Sequence, residues 1–152
     1  MTKELLVMEC ININGWYDQI RQDKKKLNGL SVKTLWALRK NMKKIAEVAD
    51  YFKEFKEGLE QEIKDDFFNS EKSEETVVKD NEGNETPAQK VKDEYLQDYQ
   101  ARINEINGKL NELVLTKEEF DFTPIDIESE IERLDTDCNL NMDDLDILSV
   151  FE

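Results

Sequence analysis

The residues best spaced for chemistry in this chain are Asp135, Asp137, Asn139, Asp143 and Asp146. They fall at positions 1, 3, 5, 9 and 12 of the run Asp135 to Asp146, the alternation of oxygen donors by which a loop surrounds a hard divalent cation such as calcium. Position 6, where such loops turn sharply on glycine, is Leu140, and position 12 is the short Asp146 instead of a bidentate Glu. A metal-free reading accounts for the same letters. Asn141 can cap a helix whose first turn holds Asp143 and Asp144, where negative charge meets the positive end of the helix dipole. If the chain were an enzyme, a metal-dependent reaction at this loop would be its form, but no cofactor is expected.

Other chemistries lack their residues. There is no histidine, which removes Ser-His-Asp triads, Cys-His dyads and imidazole acid-base catalysis. With five glycines the chain has neither a Gly-x-x-x-x-Gly-Lys loop nor a Gly-x-Gly-x-x-Gly turn to cradle phosphates. Cys10 and Cys138 lie far apart with no second thiol at ligand spacing, so both read as free thiols in a reducing compartment. A signal peptide and a membrane span are not expected, which points to a cytoplasmic protein.

Charge is the strongest compositional signal. The 152 residues hold 21 Lys and Arg against 36 Asp and Glu, a net of −15, which argues against binding naked DNA or an anionic membrane directly. The charge is polarised. Residues 1 to 56 carry 12 basic and 7 acidic side chains, leaving 9 basic and 29 acidic in the remainder. Among the basic residues, Arg39, Lys40, Lys43 and Lys44 form one candidate partner-binding group, with Trp16, Tyr17 and Trp36 nearby as aromatics that can stack bases. The plainer reading makes these cations a solvated face that neutralises the acidic half, with Trp36 widening a buried stripe. The second candidate group is acidic: Glu118, Glu119, Asp121, Asp126, Glu128, Glu130 and Glu132, continuing into Asp135 and Asp137. Carboxylates on rigid elements can imitate the phosphate rows of a duplex and steer into a cationic groove. Acidity that only keeps the protein soluble is the competing explanation.

These groups need a scaffold. Leu35, Leu38, Met42, Ile45, Ala49, Phe52, Leu59 and Ile63 recur at threes and fours, a helical stripe that starts after a Ser31 cap and runs toward Phe68. A second stripe comprises Leu96, Tyr99, Ile103, Ile106, Leu110 and Leu113. The expected architecture is mainly α: a long antiparallel helical hairpin in which each stripe buries the other. Shorter flanking helices cover residues 16 to 27 and the C-terminal stripes Ile127-Ile131-Leu134 and Leu145-Leu148-Phe151. Leu5 to Met8 and Phe120 to Ile127 suit short strands that pair as a two-stranded ribbon from the chain ends, with Pro124 at an edge or an end. The whole chain, 1 to 152, reads as one domain. A flexible polar connector spans about 69 to 89, where Val77 and Val78 offer one side of a small loop hairpin as the alternative.

Two resemblances add context. The Asp135 to Asp146 spacing resembles calcium loops of the EF-hand or dockerin type. The whole chain resembles small acidic proteins encoded by phages and prophages of Gram-positive bacteria, a family catalogued only as a domain of unknown function. That resemblance rests on the helix start Lys33-Thr34-Leu35-Trp36-Ala37-Leu38-Arg39-Lys40-Asn41, the connector Lys79-Asp80-Asn81-Glu82-Gly83-Asn84, the Glu94-Tyr95-Leu96 helix and the tail Leu145 to Glu152. It carries over no catalytic residue. It implies a bacterial host cytoplasm and either a protein that binds host machinery or defence factors or a minor assembly protein. Taken with the acidic row, the expected function is a non-catalytic protein-binding module, an inhibitor of a host or defence protein that handles nucleic acid, acting through a DNA-mimic-like surface. The alternative is a phage assembly, chaperone or minor structural protein acting through helical self-association, for instance as a homodimer.

Overall fold

The computed structural model describes residues 2–133 and 140–152. The fold is mainly helical, with two small antiparallel two-stranded sheets. In chain order the elements are β1 Thr2–Leu6, α1 Val7–Ile20, α2 Lys24–Asn28, α3 Val32–Ile63, a π-helical turn Lys64–Phe68, β2 Ser73–Lys79, β3 Glu85–Val91, a 3-10 turn Asp93–Tyr95, α4 Leu96–Val114, β4 Lys117–Asp121, α5 Ile127–Arg133, α6 Met142–Leu148 and a closing 3-10 turn Ser149–Phe151. No described helix is long and apolar enough to cross a membrane. Contacts divide the chain into two compact units, Met1–Phe52 with Val114–Glu152, and Lys53–Leu113, where the sequence reads as a single domain.

In the first unit β1 pairs with β4, Glu4 facing Glu119 and Leu5 facing Glu118. Both strands lie earlier than their sequence suggests. The Glu9 carboxylate accepts the Leu6 N–H at 2.7 Å, half of a capping box, so Val7 and Met8 enter α1 instead of extending β1. β4 stops at Asp121, before Pro124, and Ile127 begins α5. The helix expected over 16 to 27 is two helices. Asp23 divides them by accepting the Lys25 and Lys26 N–H groups at 3.1 and 3.4 Å as the N-cap of α2. The core gathers Leu5, Cys10, Leu38, Met42, Ile45, Phe122, Leu148 and Phe151, among others. Phe122 meets Phe120 in a stack and Phe151 edge-on.

The apolar stripe of α3 is therefore shared between two cores. Leu38, Met42 and Ile45 serve the first unit, whereas Leu59 and Ile63 join Phe67, Val91 and Ile106 in the second. Tyr99, Ile103 and Leu110 of α4 border that second cluster, and Phe67 and Phe68 both meet Tyr99 edge-on. The stretch expected to be a flexible connector contains a β-hairpin, with Val77 opposite Pro87 and Val78 opposite Thr86. Its turn is built by Asp80, whose carboxylate accepts the N–H groups of Glu82 and Asn84 at 2.9 and 2.8 Å. Gly83 supplies the positive φ of 82° that the turn requires.

Candidate functional site

Buried polar side chains are the first place to look for chemistry, because isolated polar groups are costly to bury. In the first unit three of them tie chain segments together. Glu130 of α5 is 3% exposed. It accepts the Ser31 N–H at 3.0 Å, the Thr34 hydroxyl at 2.5 Å and the Ser31 hydroxyl. The Ser31 oxygen in turn accepts the Thr34 N–H at 3.1 Å. A carboxylate brought from almost a hundred residues away thus completes the N-terminus of α3. Burial works against its charge, but the Ser31 and Thr34 donors win and hold it below the usual carboxylate range.

Asp144 plays the same part elsewhere. It accepts from Trp16 Nε1 at 2.8 Å, Lys26 Nζ at 2.8 Å and the Asn141 N–H at 3.0 Å. Burial again opposes its charge, and the Lys26, Asn141 and Trp16 donors outweigh it to lower the pKa. Asn41, fully buried in α3, donates to the Thr123 carbonyl and accepts the Thr123 N–H, both at 2.8 Å. Cys10 is buried too, and burial, with the charges of Glu118 and Glu9 adding, pushes its thiol up to about 11. It is a packing residue with almost no thiolate at neutral pH.

Of the cation-loop residues, Asp135, Asp137 and Asn139 lie outside the described residues, as does Cys138. Asp143 and Asp146 are exposed on α6. Asn141 caps that helix, accepting the Asp144 N–H at 2.9 Å, which is the metal-free role expected for it. Among the described residues no group of three or more Cys, Asp or Glu is placed to hold a metal ion.

The acidic candidates separate by the face they occupy. Glu119, Asp121, Asp126, Glu128 and Glu132 are exposed, Glu118 is half-buried on the inner side of the ribbon, and Glu130 is withdrawn into the helix cap described above. Asp126 accepts from the Ser129 N–H and hydroxyl at 3.1 and 2.7 Å at the start of α5, and these bonds lower its pKa. On the outer face of the ribbon Glu4 and Glu119 oppose each other directly, with Lys117 within 3.5 Å of Glu4.

The basic candidates lie along the solvent side of α3. Lys44 donates to the Asp121 carbonyl and stabilises the Asp121 charge, and Lys26 pairs with Asp144, so part of the basic segment does neutralise acids of the C-terminal half within the chain. Arg39, Lys40 and Lys43 remain exposed, and none forms an ion pair among the described residues. Trp36 does not widen the buried stripe: it is 60% exposed, with the Lys40 ammonium 5.6 Å above its ring. Its stripe neighbour Leu35 is partly buried against the first core.

An open groove of about 500 Å³ in the second unit is lined by Phe68, Ser70, Ser73, Glu74 and Gln89, among others. Its polar atoms engage one another: the Ser73 hydroxyl, with one proton to donate, lies 2.7 Å from the Phe68 carbonyl and 2.8 Å from the Gln89 side-chain oxygen, and Glu74 pairs with Lys90. No protein-family model matches the chain, and neither a curated protein nor a solved structure matches it.

Proposed function

We propose that this chain is a non-catalytic protein-binding module whose acidic outer face recognises a cationic surface of a partner protein. One observation carries the reading. Glu4 and Glu119 sit directly opposite in the ribbon ladder, an arrangement that destabilises a sheet, and Lys117, 3.5 Å from Glu4, offsets it in part. Glu128 and Glu132 of α5 are exposed as well. Charge concentrated at a stability cost is charge available for recognition, whereas charge for solubility alone would be spread to avoid such pairs. In this reading α3 and α4 form the antiparallel hairpin scaffold. The partner is a nucleic-acid-handling host or defence protein, the acidic face standing in for phosphates in a bacterial cytoplasm, in a phage or prophage context.

The test is affinity capture from nuclease-treated host lysate at low and high salt, comparing the natural chain with a Glu119→Lys, Glu128→Lys variant. Retention of a nucleic-acid-binding protein that high salt and the charge reversal both abolish is the expected result. Salt-resistant retention of phage structural proteins, equal in the two chains, would overturn it in favour of an assembly role.

A further inference from the structure

A second periodic pattern runs along α3 two positions ahead of the buried stripe. Lys33, Trp36, Lys40, Lys43, Glu47 and Asp50 each precede a stripe residue by two, which at about 100° per residue puts them some 200° away, on the far side of the helix. All six are exposed. Their spacing of three and four is that of a heptad seam. Its signs are ordered: cations occupy the N-terminal half and acids the C-terminal half, and the letters continue the order with Glu54 and Glu57.

Helix stability does not account for that order. The macrodipole favours acids at the N-terminus and cations at the C-terminus, and α3 has no acid in its first turn and no base in its last. Pairing within the helix does not account for it either. Lys43 and Glu47 stand in the weaker orientation of an i,i+4 pair and form no ion pair among the described residues; of the seam cations, Lys33 lies near enough to Asp126 at the start of α5 to stabilise its charge.

The pattern has a symmetry, however. Lys43 and Glu47 lie two positions either side of residue 45, Lys40 and Asp50 five positions either side. When two copies of such a helix pack antiparallel about a two-fold axis at that point, each first-half position faces its second-half mirror. Lys40 then meets Asp50 of the other copy and Lys43 meets Glu47, each pair occurring twice. A parallel pairing would instead set like charges together.

We propose that this face of α3 binds a second copy of the chain, forming an antiparallel two-fold dimer that is independent of the acidic face used for other partners. Exposed ion pairs are individually weak, so they set register and orientation, and the Trp36 ring contributes apolar surface. The dimer is accordingly weak and sensitive to salt.

Sedimentation of the full chain over a concentration series, in about 20 mM and about 500 mM NaCl, tests it. The natural chain should dimerise in low salt and dissociate in high salt. Lys40→Glu and Asp50→Lys should each weaken association by about a hundredfold while leaving the circular dichroism unchanged, because each sets two like-charge contacts in the seam. An equimolar mixture of the two variants should regain the dimer, since every altered position then faces its opposite. A chain that stays monomeric in low salt, a dimer that survives both high salt and the single variants, or a mixture that fails to reassociate would each overturn the proposal. Retention of the expected partner by monomeric variants would leave the acidic-face reading standing.

Discussion

The two units of this chain solve the same problem with different materials. The first unit brings together segments far apart in sequence, and it does so with buried polar bonds: Lys26 and Trp16 to Asp144, Ser31 and Thr34 to Glu130, Asn41 to Thr123. The second unit is one continuous stretch whose core is apolar and aromatic, and its ion pairs lie at the surface. Apolar burial is non-directional and suffices where the chain need only fold back on itself. Directional bonds matter more where several short elements, each able to slide, must meet in one arrangement. Magnitudes differ accordingly, and variants can break the contrast at either end.

The largest effect is expected at Asp144. Replacing it with alanine removes the carboxylate that faces Lys26, 20% exposed, and leaves the Trp16 and Asn141 N–H groups without their acceptor. Breaking a buried pair in this way costs about 3 to 5 kcal/mol, a large share of a small protein's stability. Urea unfolding should show that loss, and hydrogen exchange should place the lost protection in the first unit. An effect below about 1 kcal/mol would show that the pair is open to solvent.

Glu130→Ala ranks next. It removes one carboxylate but leaves the Ser31 and Thr34 hydroxyls and the Ser31 N–H without their acceptor, about 2 to 3 kcal/mol in sum. The readout is exchange at the first turn of α3, which should speed up before the rest of that helix. Lowering the pH tests both carboxylates together. Their folded pKa values lie below the ordinary value of about 4, so the unfolded chain takes up protons first as the pH falls. Their stabilisation is complete above that ordinary value and is lost as the pH drops through the lowered folded values. The first unit should therefore lose exchange protection at a higher pH than the second.

What the letters disclosed follows the same division. The α3 stripe, the Ser31 cap and the Asn141 cap are local patterns, set by a period of 3.6 and by side chains that reach only three residues. That Glu130 completes the Ser31 cap is not local, and no spacing announces a bond across nearly a hundred residues. The hairpin Ser73–Val91 was obscure for another reason. Its residues are mostly exposed on both faces, so strand alternation of apolar and polar residues is absent, and beyond the turn letters Asn81-Glu82-Gly83-Asn84 its one apolar cue is Val77 with Val78. The withdrawal of Glu130 from the acidic row and the exposure of Trp36 both needed the fold. The seam on α3 is the reverse case: its spacing and sign order stand in the letters, but they mark a free face only once the stripe two positions on is known to be buried.

Gly83→Ala probes the hairpin turn. With φ at 82° an alanine there is strained, though nothing lies near its Cβ, so a loss of about 1 kcal/mol is expected from backbone conformation alone. Gly83→Asn should recover part of it, because asparagine tolerates that region better than other residues with a Cβ. Equal losses in the two variants would mean that a contact, not backbone strain, sets the cost.

Arg102 supplies the smallest effect and the clearest counterpart to Lys26. Its guanidinium lies 3.4 Å from Glu62 and 3.5 Å from Asp66, two acids for one cation, which by count alone would rank it at least level with the Lys26–Asp144 pair. Exposure reverses the ranking. Arg102 is 36% exposed and its partners 60% and 50%, so water and salt screen the attraction. Arg102→Ala should cost no more than about 1 kcal/mol, most of it gone at high salt, with any remainder reporting the packing of the arginine stem against the second core. A loss as large as that of Asp144→Ala, unchanged by salt, would show that the second unit also depends on a directional bond and would remove the contrast between the two.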